Sequence, residues 1–127
     1  MSAAWEVQKA IFAALSGNVA APVFDSVPEN QTAPYIVIGD DTSTAHDADL
    51  QTGFDMTLTI HTWSTYRGLK EVKTLMGEVY DLLNRATLTV IGYTVLDIMS
   101  EYGQPFLDSD GVTRHGVQRF RILLTKQ

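Results

Sequence analysis

Between Phe54 and Trp63 every second residue is apolar: Phe54, Met56, Leu58 and Ile60 alternate with Asp55, Thr57, Thr59 and His61. Successive side chains of a strand point to opposite faces, so the alternation predicts a strand with one buried and one open face. After Gly68 the spacing changes. Leu69, Val72, Met76, Val79 and Leu83 recur at intervals of three and four, and Leu75, Tyr80 and Leu82 widen the stripe. That period predicts an amphipathic helix lying on a core and ending near Asn84 and Arg85.

The same reading orders the rest of the chain. Ser2 is placed to cap a first helix from Ala3 to Ser16, with Val7, Ala10, Ile11, Ala14 and Leu15 on one face and Gly17-Asn18 as its stop. Trp5 and Phe12 lie on a flank of that face. The segment from Val19 to Pro34 holds three of the four prolines and reads as an extended connection with a short edge strand at Val23 to Asp25. Tyr35 to Gly39 is short, apolar and rich in β-branched residues, which predicts a central strand. The polar stretch Asp40 to Gln51 follows as a long loop or the protruding tip of a hairpin. Beyond the second helix, Leu88 to Ile91 reads as a short strand and Thr94 to Tyr102 as a longer one. A loop through Gly103-Gln104-Pro105 and Asp108-Ser109-Asp110-Gly111 leads to a last strand from Arg114 to Thr125.

Helix, strands, helix, strands is the order of an α+β fold: a mixed, mostly antiparallel sheet with both helices on one face. In the last strand Gln118, Phe120, Ile122 and Leu124 make the apolar face, while His115, Val117, Arg119, Arg121 and Leu123 make a mixed one. A sheet that carries Thr57, Thr59, His61, Arg119 and Arg121 on its uncovered side must meet water or another subunit there.

Composition narrows the class. A chain of 127 residues with 45% apolar content is about one domain, expected to span 1–127 with a single core. There is no cysteine, which excludes a disulfide framework, a thiolate metal site and a cysteine nucleophile. The apolar run Ala10 to Leu15 is too short to cross a membrane, and Glu6 stands where a signal peptide carries positive charge, so a soluble chain made in the cytosol is expected. The net charge of -6 is unevenly placed. No Lys or Arg occurs between Ala10 and Tyr66, a segment that holds Asp25, Glu29, Asp40, Asp41, Asp47, Asp49 and Asp55. An acidic chain lacks the cations that displace counterions from phosphates, so it is not expected to grip DNA, yet that same surface lets DNA slide past.

The chemical motifs are thin. His46, Asp47 and Asp49, taken with His61 or His115, have donor types that suit zinc, but their spacing matches no closed or catalytic metal site. Asp108-Ser109-Asp110-Gly111 opens like a calcium loop and lacks its closing Glu, so it reads as a turn. No Ser sits in Gly-x-Ser-x-Gly, no glycine-rich cradle follows a strand, and the carboxylate pairs Asp40-Asp41 and Asp108 with Asp110 lie in polar loops. We therefore expect no catalytic residue, no cofactor and no metal. The contrasting reading is a small metal-binding enzyme built on His46, His61 and nearby aspartates.

Tyr35-Ile36-Val37-Ile38-Gly39 after a proline-rich lead, Ile60-His61-Thr62-Trp63-Ser64 with Arg67-Gly68 opening a helix, and Asp110-Gly111 and His115 ahead of a strand through Phe120 form one ordered set. As a set they resemble the tail-completion, or tail-terminator, proteins of long-tailed bacteriophages and gene transfer agents. The resemblance implies a structural role in the virion tail or neck after synthesis in the host cytoplasm. It implies a homo-oligomeric ring, usually a hexamer, that caps the tail tube and joins it to the head connector or adaptor proteins, with DNA passing through unbound. A head-completion or adaptor protein on the head side of the joint is the alternative within that class. The expected contact surface comprises Asp40, Asp41, Asp47 and Asp49 of the acidic segment, Thr57, Thr59, His61 and Trp63 of the alternating strand, and Arg119 and Arg121 of the last strand. An acidic first half facing an arginine-bearing last strand would suit a heterologous ring contact.

Overall fold

The computed structural model describes residues 3–47 and 50–127. In chain order it contains α1 (Ala4–Leu15), β1 (Val23–Phe24), β2 (Tyr35–Ala45), β3 (Gly53–Ser64), α2 (Lys70–Leu83), β4 (Tyr93–Leu107) and β5 (Arg114–Lys126). The strands form one sheet in the order β1-β2-β3-β5-β4. β1 runs parallel to β2, and the other pairings are antiparallel. The architecture is the expected α+β arrangement.

Both helices cover the same face. Val7, Ile11 and Leu15 of α1 and Val79 and Leu83 of α2 bury their side chains against Ile36, Met56, Leu58, Ile60, Phe120, Ile122 and Leu124 of the sheet. The two periods read from the sequence thus meet: the even positions of β3 and β5 face the i, i+3, i+4 stripe of α2. α2 approaches β5 closely at Gly116, where an added Cβ would lie 2.6 Å from Met76 Sδ. Neither helix is capped by a side chain at its N-terminal residue. Ser64 supplies the link to α2 instead, donating its hydroxyl to Glu71 Oε1 at 2.7 Å and accepting the Tyr66 N–H at 3.1 Å. The proposed cap Ser2 lies outside the described residues. No helix is long and apolar enough to cross a membrane among the described residues.

Three sequence expectations are corrected. β2 does not stop at Gly39 but passes a bulge between Ile38 and Asp41 and stays paired with β3 to Ala45, so that of the two readings of Asp40 to Gln51 the protruding hairpin holds and the long loop does not. Its polar residues are exposed on both sides because this corner of the sheet extends past the helices, so no alternation marks it. β4 continues through Gly103, Gln104 and Pro105 to Leu107. Pro105 is tolerated there because β4 is an edge strand. Leu88 to Ile91 forms no strand: a single bridge, Val90 to Tyr93, turns the chain into β4.

Candidate contact face

Among the described residues nothing covers the face of the sheet opposite the helices, and at one end an aromatic band crosses it. Register places Tyr35 of β2, Trp63 of β3, His115 of β5 and Phe106 of β4 side by side, and Phe24 of β1, paired with Val37, extends the row diagonally from Tyr35. Phe24 meets Tyr35 edge-on at a centroid distance of 6.3 Å, and Tyr35 lies 6.5 Å from Trp63. Trp63 stacks on His115 at 3.7 Å, and Phe106 flanks His115 at 5.0 Å. All five rings are half-buried. Aromatic pairs across neighbouring strands stabilise the sheet, and a half-buried row of them offers apolar area at small entropic cost to a partner.

His61 sits beside the band. Its Nδ1 lies 2.8 Å from His115 Nε2, and its ring packs over Gly39, where a Cβ would come within 2.7 Å of Cδ2. One imidazole donates and the other accepts, an arrangement available only while at least one ring is neutral. Burial pushes both rings below the usual histidine pKa of 6.5. The positive charge of His61 lowers His115 further; Asp40 opposes the shift at His61, and Asp108 opposes it at His115. Among the described residues, the only side-chain hydrogen bond of either ring is to the other. The pair offers a stacked, hydrogen-bonded surface.

Away from the band the face is charged but internally paired. Arg121 donates to Asp55 through Nε at 2.8 Å and through Nη2 at 2.5 Å, which holds the Asp55 carboxyl below its usual range and raises the guanidinium. Arg119 Nε lies 3.3 Å from Glu101 Oε1. Thr57 shares a hydrogen bond of 2.5 Å with Thr42, and Thr59 stands opposite Arg119. The two arginines expected to reach a neighbour's carboxylates thus already have carboxylate partners in their own chain.

The acidic segment divides. Asp40 lies near His61; Asp41 points to the helix side of the bare hairpin; Asp47 accepts the Gly53 N–H at 3.1 Å and closes the turn; Asp49 lies outside the described residues. Beyond them Leu50 is fully exposed at the hairpin tip, at 105% relative accessibility. His46 is next to Gly53, about 26 Å along β3 from His61 at ordinary strand rise, so the histidines of the metal reading are not brought together. No group of three or more His, Asp or Glu side chains converges among the described residues. A second apolar feature, a groove of about 550 Å³, lies between Trp5 and Phe12 of α1 and Val23, Phe24 and Ile38 of the sheet edge.

Of the expected contact residues, His61 and Trp63 are joined at the band, Thr57 and Thr59 continue the same face, and Arg119 and Arg121 border it. Sequence reasoning missed Phe24, Tyr35 and Phe106 as members. The available signal was an aromatic residue at or next to one end of each of these strands.

Comparison with known proteins gives one consistent answer. The family model described as "Tail completion protein gp17" matches residues 3–125. The tail completion protein gp17 of Bacillus phage SPP1 is 30% identical over 103 residues, covering 80% of this chain and 75% of that protein. A chain of the virion of a native gene transfer agent particle superposes with a TM-score of 0.89 at 18% identity, covering 98% of both chains.

Proposed function

The chain belongs to the tail completion protein gp17 family, and from that premise we propose that it forms a ring, a hexamer, on the end of the tail tube and joins the tail to the head connector, with its bare sheet face as the surface that docks on those partners. Membership makes it a structural component of the virion tail rather than an enzyme, which sets aside the reading as a small enzyme. The observation that carries the rest is the aromatic band: five half-buried rings on a face that nothing covers among the described residues. A joint must bury apolar area on contact, and rings held by their neighbours lose little freedom when they do.

The charge pattern supports the second half of the reading. The chain carries -6, and Arg119 and Arg121 are held by Glu101 and Asp55, which leaves fewer cations to hold phosphate. Six copies around a channel would let DNA pass without retaining it.

Electron microscopy and native mass spectrometry of the chain mixed with purified tail tubes test this. We expect a ring of six on one tube end, lost on replacing Trp63 with Ala. A chain that never decorates a tube end overturns the reading. Gene deletion separates the two sides of the joint: tails with unjoined ends support a tail-side role, whereas heads that leak DNA assign the protein to the head side.

A further inference from the structure

β2 beyond its short pairing with β1, and the edge strand β4, each have a backbone stretch with no partner among the described residues, and the two free stretches match. β1 covers only Ile36 and Val37 of β2. Beyond the bulge, His46 donates its N–H inward to Gly53 O at 2.9 Å. Strand groups alternate, so Thr44 and Thr42 also bond β3, while Ala45, Ser43 and Asp41 turn N–H and C=O outward. On the far side of the sheet Asp108 donates inward to Thr113 O at 2.8 Å. Phe106, Gln104 and Tyr102 therefore bond β5, and Leu107, Pro105 and Gly103 face out.

The middle of that same edge is already occupied. Arg85 donates its N–H to Ile98 O at 2.7 Å, and Ser100 donates to Asn84 Oδ1 at 2.8 Å. The chain leaving α2 seals β4 where it would otherwise be open and leaves 103–107 bare.

We infer that neighbouring subunits join edge to edge into one continuous sheet, 41–45 of β2 on one copy pairing with 103–107 of β4 on the next; this rests on the ring reading above. Two geometric conditions are met. β2 and β4 run antiparallel to each other, because three antiparallel pairings separate them. The outward residues on both edges belong to the helix side: Asp41, Ser43 and Ala45 stand opposite Leu58, Met56 and Phe54, and Gly103, Pro105 and Leu107 opposite Gln118, Gly116 and Arg114. Pairing them keeps the helices of both copies on one side and makes the open face continuous. In the register Asp41 with Leu107, Ser43 with Pro105 and Ala45 with Gly103, every outward group except the Ser43 carbonyl is satisfied, because Pro105 has no N–H.

Pairing of β2 with β2, or β4 with β4, closes at two copies and leaves the other edge of each bare. Head-to-tail pairing satisfies both edges of every subunit once the ring closes. The free stretches lie at opposite ends of the sheet, one beside Phe54–Leu58 and the other beside Arg114–Gln118. Successive copies are therefore staggered along the strands, and the strands tilt from the ring axis as in a closed barrel.

Ser43→Pro removes one outward N–H and no bond between β2 and β3. We expect it to retain the wild-type circular dichroism spectrum and melting transition while losing the ring. A second variant reads the contact directly: Thr44→Cys with Gln104→Cys, a facing pair in this register, in a chain without other cysteines. Oxidation should give a covalent ladder up to the ring, with neither single-cysteine variant forming dimers. If Ser43→Pro assembles as the wild type does, or if either single variant dimerises as readily as the double one gives its ladder, the edge contact is wrong and the ring stands. If the wild type does not self-associate even on tube ends, both fall.

Discussion

Trp63 and His115 lie face to face across β3 and β5, their ring centroids 3.7 Å apart and their planes 13° from parallel. The stack ties the middle of the aromatic band together, so a ring on the open face is also part of the sheet's own stability. Trp63→Ala should cost about 0.5–1.5 kcal/mol from the lost aromatic pairing, beyond the loss of buried area. A melting curve that shifts by a few degrees, with full loss of tube-end binding, is the expected outcome.

The histidine pair makes stability depend on pH. Both folded pKa values are lowered below 6.5, so the unfolded chain takes up protons first as pH falls. The pair's contribution is fully present above 6.5 and is lost as pH falls from there through the folded values. Thermal melts between neutral and mildly acidic pH should show a falling melting temperature, and the double variant His61→Gln, His115→Gln should flatten that slope.

Gly39→Ala should disturb the open face while leaving the core alone. The added methyl would sit 2.7 Å from His61 Cδ2 and 3.1 Å from Thr59 O, so the imidazole must move. Loss of the His61 to His115 hydrogen bond in imidazole nitrogen NMR, with unchanged signals from Leu58 and Ile60, checks it. Gly116→Ala acts on the opposite side, where its methyl meets Met76 and Val72, and should cost about 1–3 kcal/mol through overpacking.

The Asp55 to Arg121 pair is partly exposed, so solvent screening keeps its contribution to the monomer's stability small. Arg121→Glu sets two carboxylates side by side and should cost more than Arg121→Ala. The exchanged double variant Asp55→Arg, Arg121→Asp should recover most of that loss in urea unfolding at low salt. Assembly that fails in Arg121→Glu and returns in the exchange would mean that the charge acts by holding the face in shape, and not by reaching a neighbour.

Leu58 and Val79 are fully buried from opposite sides of the core. Leu58→Ala should cost about 2–5 kcal/mol. Val79→Asp, which buries a charge without a partner, should yield no cooperatively melting protein.

The parts of this fold legible in the sequence were those where one face is buried. The period of two in β3 and β5 and the three-four spacing of α2 were readable because burial imposes them. β2 beyond Gly39 was not readable: its side chains meet water on both sides, and its strand geometry comes from bonding to β3 alone. The extension of β4 was hidden behind Gly103 and Pro105, turn residues that an edge strand accommodates. The open face was legible strand by strand as Thr57, Thr59, His61, Arg119 and Arg121, but the band was not. Its members belong together only through register between strands far apart in the chain, and no single strand carries that information. The same holds for the ion pairs of Arg119 and Arg121, whose partners lie on neighbouring strands.

The seal that Asn84 and Arg85 place on β4 has a colloidal consequence. A bare strand of fifteen residues would be a template on which any extended chain could nucleate a growing fibre. Divided by the seal, and interrupted again by Pro105, the edge offers only a short segment that binds weakly in isolation. An edge cut this short gives a growing fibre little to build on.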